Sequence, residues 1–120
     1  MAKRDFEKYI IPSDLIATIR KELKELPSTE FTYYTMVLIA SIKKEKNIQK
    51  YISILRSTYD LTQKLKAFYK SKPEHFEENI LAVNDAVSHL VKLSRINSIP
   101  NKIKNIVLAI SGVVLATFIG

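Results

Sequence analysis

The sequence contains no cysteine and no tryptophan, two glycines (Gly112 and Gly120) and four prolines (Pro12, Pro27, Pro73 and Pro100). Without thiols it can form no disulfide and carry out no thiolate chemistry. No glycine precedes residue 112, so no Gly-rich loop is present to cradle a phosphate, which excludes Walker-type and dinucleotide-type sites. Alternating apolar–polar runs bounded by turn residues are also missing, and strands are not expected. No apolar stretch follows the charged start Met1-Ala2-Lys3-Arg4-Asp5-Phe6-Glu7, so a secretory signal peptide is not expected either.

What is present favours helix. In 120 residues, 47% are hydrophobic and 26% charged, a globular composition of about one domain's length. Each proline reads as a helix start or a joint between helices. Lys3–Ile11 is expected to form a short helical turn. Ser13 reads as an N-cap, with Asp14 in the first turn and an apolar stripe of Ile16, Ile19, Leu23 and Leu26 ending at Pro27. Ser28 or Thr29 caps the next helix, whose stripe is Phe31, Tyr34, Leu38 and Ile42. From Ile48 the stripe continues through Tyr51, Ile52, Leu55, Tyr59, Thr62, Leu65 and Tyr69, opposite a polar face of Lys46, Lys50, Ser53, Ser57, Asp60 and Lys64. Two readings of Thr29–Ser71 stand at this point: two helices joined near Lys43–Asn47, or one continuous helix. Pro73 then opens a further helix, with Glu74, Glu77 and Glu78 near its positive end and a seam of Phe76, Ile80, Val83, Val87 and Leu90.

The net charge of +7 is unevenly distributed. Residues 1–42 carry six basic and six acidic side chains, and residues 73–120 carry four of each. The excess lies in Lys43–Lys72, where nine basic residues face Glu45 and Asp60. Such a region suits an anionic partner: an acidic protein, an anionic membrane surface or, as a second class, nucleic acid. Tyr51, Tyr59 and Tyr69 interleave with these cations as base-stacking aromatics would, although they also lie on the apolar stripe, where core packing competes for them.

Ile106–Gly120 is a run of fifteen residues without a charge, preceded by Lys102 and Lys104. A bilayer core of about 30 Å needs roughly 20 helical residues, so the run is short of a span as it stands. It is expected to be either a helix packed inside the bundle or the start of a longer membrane segment in a longer protein. Gly112, Ala116 and Gly120 recur every four residues, the small-residue spacing that lets helices approach closely, in a membrane or in a self-assembled oligomer.

Catalytic constellations are absent from the pattern, and neither enzymatic activity nor a cofactor is expected. His75 and His89 are too far apart in sequence to form a metal pair on one helix turn. Asp85 and His89 have i, i+4 spacing and are expected to hydrogen-bond, with the carboxylate holding a boundary histidine. Glu74, Glu77 and Glu78 beside His75 are explained by the helix dipole rather than by a metal.

The Lys/Ile/Asn/Tyr-rich bundle, followed by Asn101-Lys102-Ile103-Lys104-Asn105 and the apolar Ile106–Gly120, resembles helical effector proteins of intracellular bacteria that carry a C-terminal hydrophobic membrane segment. The resemblance implies a membrane-associated protein delivered into a host cell. It shares no diagnostic motif and so implies no site residues.

These readings define an all-α protein, an antiparallel bundle of four or five helices over residues 1–105 with a hydrophobic helix at 106–120. The expected function is that of a non-enzymatic interaction module, cytoplasmic or membrane-associated. Lys43, Lys46, Lys50, Lys64, Lys102 and Lys104 are the expected contacts to an anionic surface, and Gly112, Ala116 and Gly120 the expected helix-packing or membrane contacts. The alternatives are a soluble nucleic-acid-binding bundle and a self-assembly module.

Overall fold

A computed structural model of the chain describes residues 12–44, 48–96 and 99–119, and among them the only regular elements are helical. Five α-helices follow one another: α1 (Pro12–Leu23), α2 (Thr29–Lys43), α3 (Ile48–Lys70), α4 (Phe76–Ile96) and α5 (Asn101–Ile119), with a single 3₁₀ turn, Pro73–His75, before α4. The expected turn at Lys3–Ile11 lies outside the described residues.

Local chemistry sets the boundaries. Helix α1 begins at Pro12 itself rather than after a Ser13 cap, as suits a residue with no backbone donor to lose and a preset φ. It unwinds after Leu23 through a turn in which the Leu26 N–H donates to the Leu23 carbonyl at 3.1 Å. Ser28 caps α2, its hydroxyl accepting from the Phe31 N–H at 3.1 Å. Helix α2 ends at Lys43, where the Lys44 N–H folds back onto the Ser41 carbonyl. Thr29–Ser71 is therefore two helices. Ile42 and Lys43 from the end of one line the same recess as Tyr51, Ile52 and Leu55 from the start of the other.

Successive helices run antiparallel, which leaves α1 and α3 parallel. The first turns of both meet around Ser13, Ile16, Tyr51 and Ile52, and their later turns are tied by Glu22 and Lys66. His89 and Leu93, late in α4, lie beside Ser53–Asp60 of α3. Val113 and Ala116, late in α5, lie beside Pro27–Glu30 and Tyr69. The ends of α2 and α4 and the starts of α1, α3 and α5 thus share one pole of the bundle.

Helix α3 packs against α1, α2 and α4, and this explains why its buried arc is wider than its apolar stripe. Ile54, Leu61 and Phe68 are buried as well as Tyr51, Leu55 and Leu65. Ser57, on the face expected to be wet, is buried too, because α4 covers that side. Thr58 and Thr62 are fully buried without loss, since their hydroxyls donate to the carbonyls of Ile54 (2.7 Å) and Thr58 (2.8 Å). Thr35 of α2 is the exception: its buried hydroxyl has no partner among the described residues, a cost of about 1–3 kcal/mol.

Helix α5 packs against α2 and α4, and residues 106–119 continue it without a break from Asn101. It is not surrounded by protein. Ile103, Val107, Ile110 and Val114 are buried, whereas Leu108 and Leu115 are 46% and 45% exposed. Among the described residues, no helix is long and apolar enough to cross a membrane.

Candidate functional site

The shared pole gathers positive charge that the sequence scatters. Lys43 and Lys44 close α2, Lys50 opens α3, Lys92 and Arg95 close α4, and Lys102 and Lys104 open α5. Asp14, in the first turn of α1, is the acidic side chain at this pole among the described residues. The opposite pole is mixed: Lys70 and Lys72 lie there among Glu25, Glu30, Glu74, Glu77 and Glu78. The bundle is electrically polarised along its axis.

Four of the six lysines expected to contact an anionic surface, Lys43, Lys50, Lys102 and Lys104, are brought to the basic pole. Lys46 lies outside the described residues. Lys64 is not at this pole. It lies in the later half of α3, 3.9 Å from the Asp60 carboxylate. The three tyrosines expected among the cations do not stand out to solvent as stacking platforms. Tyr51 is buried, and Tyr59 and Tyr69 are packed against the core.

A second feature adjoins the pole. Ile16 of α1, Ile42 of α2, and Tyr51, Ile52 and Leu55 of α3 line an apolar recess of about 190 Å³ with Lys43 at its edge. A shallower hollow of about 330 Å³ shares Ser13, Ile16 and Lys43 with it and adds Arg20, Lys21 and Lys24, all exposed. These three cations were not expected from the sequence, because residues 1–42 are neutral by count. The fold separates what the count cancels. Glu22 accepts from Gln63 Nε2 at 2.6 Å and from the Lys66 ammonium. Glu25 lies 3.3 Å from Lys66 and 3.8 Å from Lys70. Glu22 of α1 and Glu25 of the turn after it are thus held by α3, while Arg20, Lys21 and Lys24 line the hollow and Asp14 stays at the basic pole. The Lys66 and Gln63 hydrogen bonds hold Glu22 below the usual glutamate range. Those from Glu22 and then Glu25 hold Lys66 above the usual lysine value.

The small-residue positions behave otherwise than close packing requires. Gly112 faces open space, with no atom within 4 Å of where a Cβ would stand. Ala116 is exposed, and Gly120 lies outside the described residues. Gly112 therefore does not admit a neighbouring helix of the same chain. Together with Leu108 and Leu115 it forms an uncovered apolar strip on α5.

The histidines are surface residues. His75 Nδ1 is 3.6 Å from Glu78. His89 and Asp85 are both exposed, and no hydrogen bond joins them. Instead His89 borders a polar hollow with Ser53, Arg56, Ser57 and Asp60. Among the described residues, no group of three His, Asp or Glu side chains is placed to hold a metal ion. Compared with known proteins, the chain matches no family model, no curated protein and no solved structure.

Proposed function

We propose that the protein is a non-enzymatic interaction module that docks, basic pole first, on an anionic membrane surface. The observation carrying this reading is that five helix ends converge with Lys43, Lys44, Lys50, Lys92, Arg95, Lys102 and Lys104 against a single described carboxylate, Asp14. Each basic residue near an anionic bilayer contributes about 1 kcal/mol, so a cluster binds where a lone lysine does not. The interaction is peripheral in this reading, through charge rather than through a spanning helix. A role as a bacterial effector in a host cell belongs to the same proposal, supported by the resemblance in composition and by the polarised surface.

Co-sedimentation with liposomes tests it. The protein is expected to pellet with vesicles containing phosphatidylserine and to stay in solution with phosphatidylcholine alone, and raising salt from 50 to 500 mM is expected to release it, because screening shortens the reach of surface charge. Equal binding to both vesicle types, or to neither, would remove the proposal.

A further inference from the structure

The basic pole explains attraction to an anion but leaves the apolar recess beside it without a role. That recess is lined by Ile16, Ile42, Tyr51, Ile52 and Leu55 and has a volume of about 190 Å³. Apolar cavities of about 150 Å³ stay dry and take up molecules the size of benzene, so this one has room for a short length of hydrocarbon chain. At its mouth stands Lys43, which also borders the hollow bearing Arg20, Lys21 and Lys24. No ion pair among the described residues reaches any of these four cations. Glu22 of α1 and Glu25 of the turn after it are engaged by Lys66 and Lys70, which leaves Asp14, beside Ser13 in the first turn of α1, as the acidic side chain next to the hollow among the described residues. An apolar slot opening onto a cationic shelf has the complement of an amphipathic anion.

We infer that the composite hollow binds a single-chain fatty acid, the hydrocarbon chain entering the recess and the carboxylate meeting Lys43 and the cations of α1. Each methylene withdrawn from water adds to affinity, and the charged head fixes the direction of entry. The inference deepens the proposed role by naming a ligand taken one molecule at a time at the rim of the docking surface. The two can fail separately.

The test is titration of the full chain with decanoate below its micellar concentration, followed by calorimetry and by the methyl NMR signals of Ile16, Ile42 and Leu55. Decanoate is expected to saturate one site and shift those methyls, with 1-decanol and acetate binding at least tenfold more weakly. Ile52→Trp, which fills the recess, is expected to abolish decanoate binding while leaving sedimentation with anionic vesicles intact. Lys43→Gln, at an exposed position that leaves the core unchanged, is expected to weaken decanoate severalfold and decides the matter if Ile52→Trp does not fold. Absence of saturable binding, equal affinity for decanol, insensitivity to Lys43→Gln, or methyl shifts confined to Leu108 and Leu115 would overturn the inference. So would a dimer that occupies the recess and persists in decanoate. Loss of vesicle binding with decanoate binding preserved would overturn the membrane reading alone.

Discussion

The Lys66 ammonium of α3 donates to the Glu22 carboxylate of α1, tying together the later turns of two parallel helices. The same bond engages the Glu22 carboxylate on the α3 side, while Arg20, Lys21 and Lys24 are exposed along the hollow. One interaction thus ties α1 to α3.

That pair gives α1 a pH window. Glu22 titrates lower in the folded chain than in the unfolded one. As pH falls below the ordinary glutamate value of about 4.3, the unfolded chain takes up the proton first and stability is lost. Lys66 titrates higher when folded, so its contribution is complete below about 10.4 and is lost as pH rises beyond that. Thermal melts are expected to be flat across neutral pH with respect to this pair and to fall on the acid side. Glu22→Gln is expected to lower the neutral melting temperature and to flatten the acid slope, with Glu25, 3.3 Å from Lys66, retaining part of the tie. An unchanged acid slope in Glu22→Gln would show that the pair does not fasten α1.

Gly112 offers a test of how α5 sits. A Cβ there meets nothing, and glycine within a helix is about 0.5–1 kcal/mol less stable than alanine. Gly112→Ala is therefore expected to stabilise the protein by that amount in urea denaturation. Destabilisation would mean that the glycine face is covered, within the chain or by a second copy.

The core and the surface of the helices should respond differently to the same truncation. Leu61 is fully buried in α3, whereas Leu81 of α4 is 63% exposed. Leu61→Ala is expected to cost about 2–5 kcal/mol, and Leu81→Ala no more than about 0.5 kcal/mol. Equal losses at the two positions would contradict the packing of α3 between α1 and α4.

The Ser28 cap carries a smaller expectation. Its hydroxyl satisfies the Phe31 N–H, and Ser28→Ala is expected to cost about 1 kcal/mol, whereas Thr29→Ala, one residue further on, should change little. The reverse order in chemical denaturation would move the cap to Thr29.

Much of the scaffold was legible because amphipathic period and punctuation agree. The stripe Ile16–Ile19–Leu23–Leu26 is buried, and the seam Val83–Val87–Leu90 is buried, each as spacing alone predicts. Phe76 heads the same seam yet is 46% exposed. As the first residue of α4 it sits at the end of the α3–α4 contact, one side against Phe68 with ring centroids 4.9 Å apart and the other open to solvent. The width of the α3 core, including Ile54 and Ser57, follows from three neighbouring helices, which no single-helix pattern reveals. Nor could the run Ile106–Gly120 say which side is exposed, because it has no charged residue to mark one. The site was least legible where charges cancel by count. Arg20 and Lys24 flank the Ile16–Ile19–Leu23 stripe on one side and Glu22 on the other, a segregation present in the helical spacing but hidden in a total of six against six for residues 1–42. Lys102 and Lys104 join Lys43 only because α5 runs antiparallel to α2, a matter of topology.

The position of charge, rather than its sum, is the centre of the account, and two triple variants of equal net charge separate the two. One replaces Lys43, Lys102 and Lys104 with Gln at the basic pole; the other replaces Lys64, Lys70 and Lys72, which lie away from it. In co-sedimentation with phosphatidylserine vesicles at low salt, the pole variant is expected to lose at least tenfold in apparent affinity and the other to lose less than threefold. Equal losses in the two variants would contradict a docking surface at that pole.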